Sequence, residues 1–321
     1  MVMSQVSAPE PPPSKYDRLL ARARKASPAA TLVVYPCDES SLRGAVETAE
    51  EGIIVPTLVG PAPRIAAVAR EHRLDISGFD IVDTGCSETA AAKAVKLVHE
   101  GKGELLMKGC LHTDDLMRAV TNSSTGLRTA RRISHVFIID VPDHPEALFI
   151  TDAAINIFPD LDAKRDIIQN AIDLFTLAGL GTPRVAILSA VETVTTKIPS
   201  TIEAAALCKM ADRGQITGGL LDGPLAFDNA IDAEAAKIKG IKSQVAGRAQ
   251  ILVVPDLEAG NMLAKNLIFL TKADSAGLVL GARVPIILTS RADSVRSRMA
   301  SCAAAVLYAD ARRRAVAVPA V

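Results

Sequence analysis

The chain is poor in aromatic residues: they make up 3% of its 321 residues, and there is no tryptophan. Proteins that hold single-stranded nucleic acid stack bases on aromatic side chains, so this class is disfavoured. The formal net charge is zero, which argues against a basic nucleic-acid surface and against a polybasic membrane anchor. We therefore expect neither nucleic acid nor membrane as a partner.

Cysteine and histidine are also scarce and scattered. There are five of each, with no CxxC pair and no HxH or HExxH pair. Zinc sites and disulfide frameworks need such ligands in close or paired spacing. We expect no metal and no cofactor, and we interpret the cysteines as reduced thiols of a cytoplasmic protein, most of them small buried residues.

Long apolar runs are missing as well, since no segment has 18 uninterrupted apolar residues; no membrane-spanning helix is predicted. The opening stretch MVMSQVSAPEPPPSK lacks the basic start and apolar core of a secretory signal. Its proline and serine content predicts a disordered tail over residues 1–15.

What the chain does have is 49% hydrophobic residues, arranged as short β-branched runs alternating with alanine-rich helical stretches. This alternation predicts an α/β fold with a parallel sheet covered by helices on both faces. Strands are predicted at 31–37, 52–60, 104–109, 135–141, 147–158, 184–190, 218–225, 250–256, 277–281, 284–290 and 304–310. Helices are predicted at 41–52, 115–122, 163–181 and 200–214.

One stretch breaks the alternation. HVFIIDVPDHPEALFITD consists of two β-rich runs joined by a loop with two prolines, which is typical of an antiparallel hairpin. We place a domain junction beside it, near residue 133.

Ligands of open α/β sheets bind at the carboxyl ends of strands, where helix N-termini expose backbone N–H groups. Two polar corners of this kind carry a cation on the helix that follows. In MKGCLHTDDLMRAV, Thr113 or Asp114 can cap the helix, and Arg118 lies one turn inside. In PDLEAGNMLAKNL, Gly260 permits a left-handed turn or a close backbone approach, Asn261 can cap, and Lys265 is a cation. Caps and solvated cations alone would also explain both corners.

Two further corners follow the predicted strands at 218–225 and 284–290. In LLDGPLAFDNAID, Asp222-Gly-Pro is typical of a turn, and Phe227-Asp-Asn begins a helix. In IILTSRADSVRSRM, Ser290 and Arg291 stand where a strand meets a helix N-terminus, an arrangement that binds anions. Asp293 is either a base or, with Ser294, a cap.

Taken together, these corners resemble the phosphate acetyltransferase/phosphate butyryltransferase family. The resemblance rests on YPCDESSLRGAVETAEEG, LSAVETVTTKIPSTIEAAAL, LLDGPLAFDNAI, KSQVAGRAQILVVPDLEAGNMLAKNL and VPIILTSRADS. It covers roughly Tyr16 to Ala311. Several phrases look closer to the butyryl-type branch, or to the transferase portion of fused enoyl-CoA hydratase/phosphate acetyltransferase proteins.

The resemblance implies the reaction acyl-CoA + phosphate ⇌ acyl phosphate + CoA, with coenzyme A and phosphate as substrates. It also implies two α/β domains of the isocitrate/isopropylmalate dehydrogenase kind, with the active site in a central cleft and a homodimer as the assembly. The expected division is a tail (1–15), a first domain (16–133 plus 283–321) and a second domain (134–282).

The resemblance also implies site residues. By motif match, Arg291 serves the phosphate charge and Ser290 the carbonyl or tetrahedral oxyanion. Acetyl-type members place an Asp seven residues after that Ser, but Ser297 stands there in this chain. We therefore expect Asp293 to be the base for the CoA thiol.

Substrate binding is assigned to two other segments in the same way. Thr113 and Arg118 match the family's T…D..R segment near the substrates, with a phosphate or CoA role for Arg118. Gly260 would let backbone approach the ligand, Asn261 could hydrogen-bond the acyl phosphate, and Lys265 could add positive potential.

Two alternatives remain at this point. The loss of the usual Asp favours a catalytically weak, regulatory acyl-CoA-binding module of the same fold. A dehydrogenase of that fold would need a cluster of metal-binding carboxylates, and no clear Asp cluster is visible. The length of the acyl group is not specified by any motif.

Overall fold

The computed structural model describes residues 14–289 and 293–317. The helices are α1 (Lys15–Ala23), α2 (Glu39–Glu50), α3 (Ala62–Glu71), α4 (Ser87–His99), α5 (Thr113–Thr121), α6 (Leu161–Leu177), α7 (Pro199–Asp212), α8 (Phe227–Ile231), α9 (Ala233–Ile238), α10 (Leu257–Thr271) and α11 (Val295–Ala317). The strands are β1 (Ala29–Val34), β2 (Ile54–Gly60), β3 (Asp80–Asp83), β4 (Leu105–Lys108), β5 (Ser134–Asp140), β6 (Leu148–Thr151), β7 (Arg184–Leu188), β8 (Leu220–Leu225), β9 (Ile251–Val253), β10 (Asp274–Leu280) and β11 (Ile286–Ile287). These strands form one sheet in the order β3-β2-β1-β4-β11-β10-β5-β6-β9-β7-β8.

Strand direction reverses along this sheet. β1 to β4 and β11 run parallel to one another, and so do β6, β9, β7 and β8. Between the two groups, β10 pairs antiparallel with β11 and with β5, and β5 pairs antiparallel with β6. The carboxyl ends of the two groups therefore lie at opposite rims of the sheet. We call the rim at the ends of β1, β4 and β11 the β4 rim, and the rim at the ends of β6, β9, β7 and β8 the β9 rim.

The predicted alternation of strands and helices is confirmed, but the sheet is mixed rather than purely parallel. The hairpin prediction is confirmed, because β5 and β6 pair antiparallel with Val136 opposite Thr151. The predicted strand at 147–158 is too long. It ends at Thr151 because the Asp152 carboxylate accepts hydrogen bonds from the backbone N–H groups of Ala154 and Ile155 at 2.9 and 3.0 Å, which turns the chain out of the sheet.

The predicted strand at 304–310 is wrong, because these residues lie in the middle of α11. The segment from Cys302 to Val306 is buried, and a run that is apolar on every side loses the periodicity that separates a helix from a strand. Strand β3 is not predicted from the sequence. It is an edge strand whose residues are largely exposed, and its short sequence DIVD gives no strand signal.

The first described residues belong to a helix rather than to a tail. Ser14 caps α1: its hydroxyl accepts from the Asp17 backbone N–H at 3.1 Å, and the Asp17 carboxylate accepts from the Ser14 N–H at 3.2 Å. This reciprocal pair satisfies two backbone donors that the helix leaves open. Residues 1–13 of the predicted tail lie outside the described residues.

The predicted junction near residue 133 falls between α5 and β5. One sheet continues across it, and β11 from the end of the chain pairs with β4 and β10. The division into two domains with a cleft stays a prediction. Among the helices that the structure describes, none is both long and apolar enough to cross a membrane.

His135 on β5 is a buried histidine in an apolar setting. Its ring packs edge-on against Phe137, with the centroids 4.4 Å apart. Nδ1 has no hydrogen-bond partner among the described residues, and Nε2 lies 3.0 Å from the place where a Cβ on Gly277 would stand. Burial lowers the pKa of His135 to about 4, and the charge of Asp152 offsets this only in part.

This depressed pKa predicts a stability loss in mild acid. The unfolded chain takes up the His135 proton near the usual pKa of about 6.5, whereas the folded chain resists it. The free energy of unfolding should therefore fall as pH drops from about 6.5 towards 4, by up to roughly 3 kcal/mol. Urea unfolding at pH 7 and pH 5 measures the slope. His135→Leu should flatten it; equal slopes in the two chains would contradict the prediction.

Candidate functional site

Two of the predicted corners meet at the β4 rim. β4 pairs with β1 on one side and with β11 on the other, all three in parallel. The corner after β4 and the corner after β11 are therefore neighbours, as expected for an α/β ligand site. Ser290 and Arg291, the central residues of the second corner, lie outside the described residues.

Two cations are buried beside this rim. Lys108, the last residue of β4, is 4% exposed, and Arg298 in α11 is 2% exposed. The Lys108 ammonium donates to the Gly109 carbonyl at 3.3 Å. Burying a cation is costly unless negative or polar groups compensate it, so two of them at one rim produce a strongly positive region suited to an anion.

Arg298 is held by groups from two other elements. Its Nε donates to the Ser40 hydroxyl at 3.0 Å, and its Nη1 to the Thr289 hydroxyl at 2.5 Å. Burial lowers the pKa of Arg298, and the carboxylates of Asp38 and Asp293 oppose that shift. An arginine stays protonated under such shifts, so Arg298 is a fixed positive charge between the start of α2 and the end of β11.

Gly44 in α2 makes room for this arginine. A Cβ at position 44 would stand 2.8 Å from the Arg298 Cδ, a contact that carbon atoms do not make without displacement. The bare backbone of α2 thus lets the guanidinium reach Ser40 and Thr289.

The start of α11 separates the two interpretations of Asp293 and Ser294. The Ser294 hydroxyl accepts from the Ser297 backbone N–H at 3.1 Å, so Ser294 is the residue that caps the helix. Asp293 is half-buried and acts electrostatically on Arg298. Ser297, at the position expected to carry an Asp, is buried, and its hydroxyl lies 3.2 Å from that of Ser294.

The corner after β4 differs in detail from its prediction. Helix α5 begins at Thr113, and its N-cap is His112, whose side chain makes no capping hydrogen bond. The prediction that Thr113 or Asp114 caps the helix is therefore wrong: both residues already have helical backbone. Arg118 is exposed, with its guanidinium 3.9 Å from the Asp115 carboxylate, a loose pair that leaves the side chain able to reorient.

The PDLEAGNMLAKNL corner lies at the β9 rim, not beside the other two. Asp256 caps α10 by accepting from the Ala259 N–H at 2.9 Å, so the expectation that Asn261 caps is wrong. The Asn261 amide donates to the Ala153 carbonyl at 3.1 Å, and Lys265 is exposed.

Gly260 does serve a close approach, but the neighbour is protein. A Cβ there would stand 2.7 Å from Val254 Cγ2 and 2.9 Å from the Asp152 carbonyl oxygen. Its φ is not positive, so the left-handed alternative is wrong. Gly260 seats α10 against the turn after β6.

The last corner also lies at the β9 rim. Asp222-Gly-Pro is not a turn but part of β8, where the register with β7 shifts between Ala186 and Leu188. Helix α8 begins at Phe227 as predicted. Asn229 is buried and donates to the Glu192 carboxylate at 3.3 Å.

A polar cavity of about 520 Å³ lies between the end of α5 and the start of α6, a size typical of ligand pockets. Two of its four arginines pair with carboxylates: Arg165 with Asp162 at 3.0 Å and Asp166 at 3.1 Å, and Arg131 with Asp173 at 2.5 Å. These pairs offset part of the positive charge that the cavity offers to an anion.

Sequence reasoning missed Lys108, Arg298 and Asp38. The available signal was a charged residue inside an otherwise apolar segment: Lys108 ends the run ELLMK, and Arg298 precedes the apolar part of α11. Charges in such positions are rarely buried unless they are paired or functional.

Comparison with known proteins agrees with this geometry. The family model described as Phosphate acetyl/butaryl transferase matches residues 85–306. A phosphate acetyltransferase of Rhizobium meliloti is 74% identical over 309 residues, 96% of this chain and 98% of the relative. A phosphate butyryltransferase of Clostridium beijerinckii is 42% identical over 294 residues, 92% of this chain and 97% of the relative.

A solved structure supports the same assignment. The branched-chain phosphotransacylase from Enterococcus faecalis V583 is 28% identical and superposes with a TM-score of 0.76, covering 87% of this chain and 98% of that one. The matched segment includes α5, the ends of β4 and β11, α10 and the first half of α11. The chain belongs to the phosphate acetyl/butyryl transferase family.

Proposed function

We propose that this chain catalyses the reversible transfer of an acetyl or short acyl group between coenzyme A and inorganic phosphate. The observation that carries the proposal is the pair of buried cations, Lys108 and Arg298, at the rim where the Ser290-Arg291 motif follows β11. Phosphate and acyl phosphate are anions, and a dry positive region favours them over neutral ligands. Coenzyme A and phosphate are both substrates in this proposal, and no further cofactor is assigned.

The reaction divides among three residues of the motif. Arg291 holds phosphate while a phosphate oxygen attacks the thioester carbonyl carbon. Ser290 donates to the oxyanion that forms on the carbonyl oxygen. The carbon–sulfur bond then breaks, and coenzyme A leaves as the thiolate. In the reverse direction Asp293 removes the thiol proton, because only a few per cent of a free thiol is ionised near neutral pH.

Substrate binding beyond this centre is assigned to α5 and α10. Arg118 is exposed, and α5 begins at the β4 rim with Thr113 in its first turn, so Arg118 is proposed to contact a phosphate of the substrates. Gly260, Asn261 and Lys265 lie on α10 at the β9 rim. Their binding role requires that a long ligand such as coenzyme A, or closure between two domains, connect the two rims.

An acyl-CoA panel tests the function. Acetyl-, propionyl- and butyryl-CoA should each be tested for phosphate-dependent release of the CoA thiol, with one acyl length preferred. Arg291→Ala should lower turnover about 10²- to 10³-fold, the usual effect of removing a preorganised charge from a transition state. The exposed Arg213 at the end of α7 supplies the control, since Arg213→Ala should keep full turnover.

The alternative is a regulatory acyl-CoA-binding module, favoured by Ser297 at the position of the expected Asp. The same panel separates the two functions. A folded chain that binds acyl-CoA but releases no thiol with any of the three substrates would support the module and contradict the enzyme.

The exposed surface of α10 indicates how the chain assembles. Helix α10 exposes three large apolar side chains, Met262 at 60%, Phe269 at 73% and Leu270 at 81%. Exposed apolar residues on one helix are typical of an interface, and we assign these residues to the interface of a homodimer. We place the protein in the cytoplasm. Sedimentation velocity decides the point: a monomer at micromolar concentration would rule the dimer out.

A further inference from the structure

Two cysteines lie at the β4 rim and have no part in the proposed reaction. Cys37 follows β1 and Cys110 follows β4. These strands are parallel neighbours, with Val34 opposite Lys108, so the two cysteines leave the sheet side by side although they are distant in sequence.

The backbone holds them together. The Cys37 and Cys110 N–H groups donate to one acceptor, the Tyr35 carbonyl, at 2.9 and 3.0 Å. Two nitrogens sharing that oxygen are at most about 6 Å apart, so the backbones of the two cysteines are neighbours, as a disulfide requires. Gly109 makes this possible, since a Cβ there would stand 2.4 Å from the Tyr35 carbonyl oxygen.

The two thiols also interact, and the interaction shifts their pKa values in opposite directions. The Cys37 thiol hydrogen-bonds to Cys110, and this bond lowers the pKa of Cys110 to about 6, with a smaller contribution from the guanidinium of Arg64. The same bond, together with burial, raises the pKa of Cys37. Cys37 is buried and Cys110 is half-buried, so the thiol with the lowered pKa is also the more accessible one, the combination that makes a cysteine reactive.

The remaining cysteines lack this arrangement. Burial raises the pKa of both Cys208 and Cys302 to about 12, which keeps them as inert thiols. Cys86 is exposed at the start of α4 and contacts the Thr89 hydroxyl at 3.3 Å. It is therefore the natural reference for accessibility without a partner thiol.

We propose that Cys37 and Cys110 are a peroxide-oxidisable dithiol, which closes into an intramolecular disulfide at the β4 rim. The Cys110 thiolate attacks one oxygen of hydrogen peroxide. The O–O bond breaks, and the leaving hydroxide takes up a proton to become water. The Cys37 sulfur then attacks the resulting Cys110 sulfenic acid, its S–O bond breaks, and a second water leaves with the Cys37 proton. Two electrons pass from the two sulfurs to the peroxide.

Peptide mapping tests the proposal directly. The full chain is treated with a small excess of hydrogen peroxide, alkylated under denaturing conditions and digested with trypsin without reductant. Each cysteine lies in its own tryptic peptide; those of Cys37 and Cys110 are residues 26–43 and 109–118. These two should be recovered disulfide-linked and should separate again on reduction. Mixing the chain with a ¹⁵N-labelled copy before oxidation should give no mixed-isotope linkage, because the bond is intramolecular.

Variants define the roles of the two sulfurs. In Cys37→Ser the Cys110 sulfenic acid has no thiol to condense with, so dimedone should label Cys110 at least severalfold more than in the unaltered chain. Cys86→Ser should leave the linkage unchanged. Oxidation of Cys86 while Cys37 and Cys110 stay reduced, or a mixed-isotope share of about half among the linked peptides, would overturn the proposal.

Discussion

Replacing Asp293 by Asn should lower turnover in phosphate-dependent CoA release by about 10²- to 10⁴-fold, the range by which a positioned general acid–base accelerates a reaction. Asn keeps the size of the side chain and its ability to accept a hydrogen bond, but it cannot take the thiol proton. Asp293 is half-buried at the start of α11, and it faces the fixed charge of Arg298. The kcat/KM values of the two directions should fall together, because one transition state serves both and a substitution cannot change the equilibrium constant.

The control for Asp293→Asn is Ser297→Ala. The Ser297 hydroxyl is buried at hydrogen-bonding distance from Ser294, so it should not reach a substrate, and its removal should leave turnover nearly unchanged. Rates in both directions, measured with saturating substrates, separate the chemical step from binding. Full turnover in Asp293→Asn would place the base elsewhere; a large loss in Ser297→Ala would show that position 297 still serves the reaction.

Arg298→Met should destabilise the fold by about 1.5–3 kcal/mol, the usual contribution of hydrogen bonds made by a charged group. Methionine fills much of the volume, but it leaves the carboxylate of Asp38 without its opposite charge and the hydroxyls of Ser40 and Thr289 without a donor. Urea unfolding of the variant and the unaltered chain measures the difference.

Two further substitutions show whether charge or geometry matters at this position. Arg298→Lys keeps the charge but loses the fork that reaches both hydroxyls, so it should recover only part of the stability. Arg213→Met, at an exposed position, should change the free energy of unfolding by no more than about 0.5 kcal/mol. If Arg298→Met unfolded at the same urea concentration as the unaltered chain, the guanidinium would not be a structural link between α2 and β11.

Much of this architecture is visible in the sequence because its signals are local. The apolar runs before Lys108 and Val254 and the proline-containing loop between β5 and β6 each predict their element within a few residues. The strand expected at 304–310 failed because burial on all sides of α11 removes the helical period. No local pattern could show that β10 is antiparallel to β11, since that depends on which distant strands pair.

The candidate site divides in the same way. The strand-to-helix corners are local signals, and helices follow β4 and β11 as the sequence predicts. Burial of Lys108 and Arg298 depends on tertiary packing, so it cannot be predicted from the number of charged residues. The placement of Gly260 and Asn261 at the opposite rim follows from the reversal of strand direction, which no motif reports.

The pairing of β4 with β11 has a consequence for how the chain folds. Leu106 lies opposite Ile286. A central strand from the first third of the chain therefore pairs with a strand from the last third. Closing so long a loop costs entropy before the contact returns any stability, and sheets built from such distant pairs fold slowly. Before β11 pairs with it, β4 has an unpaired edge that can form hydrogen bonds with a strand of another chain. The β4 rim is therefore among the last parts of the molecule to form, and losses at β11 should appear first as slow refolding and aggregation.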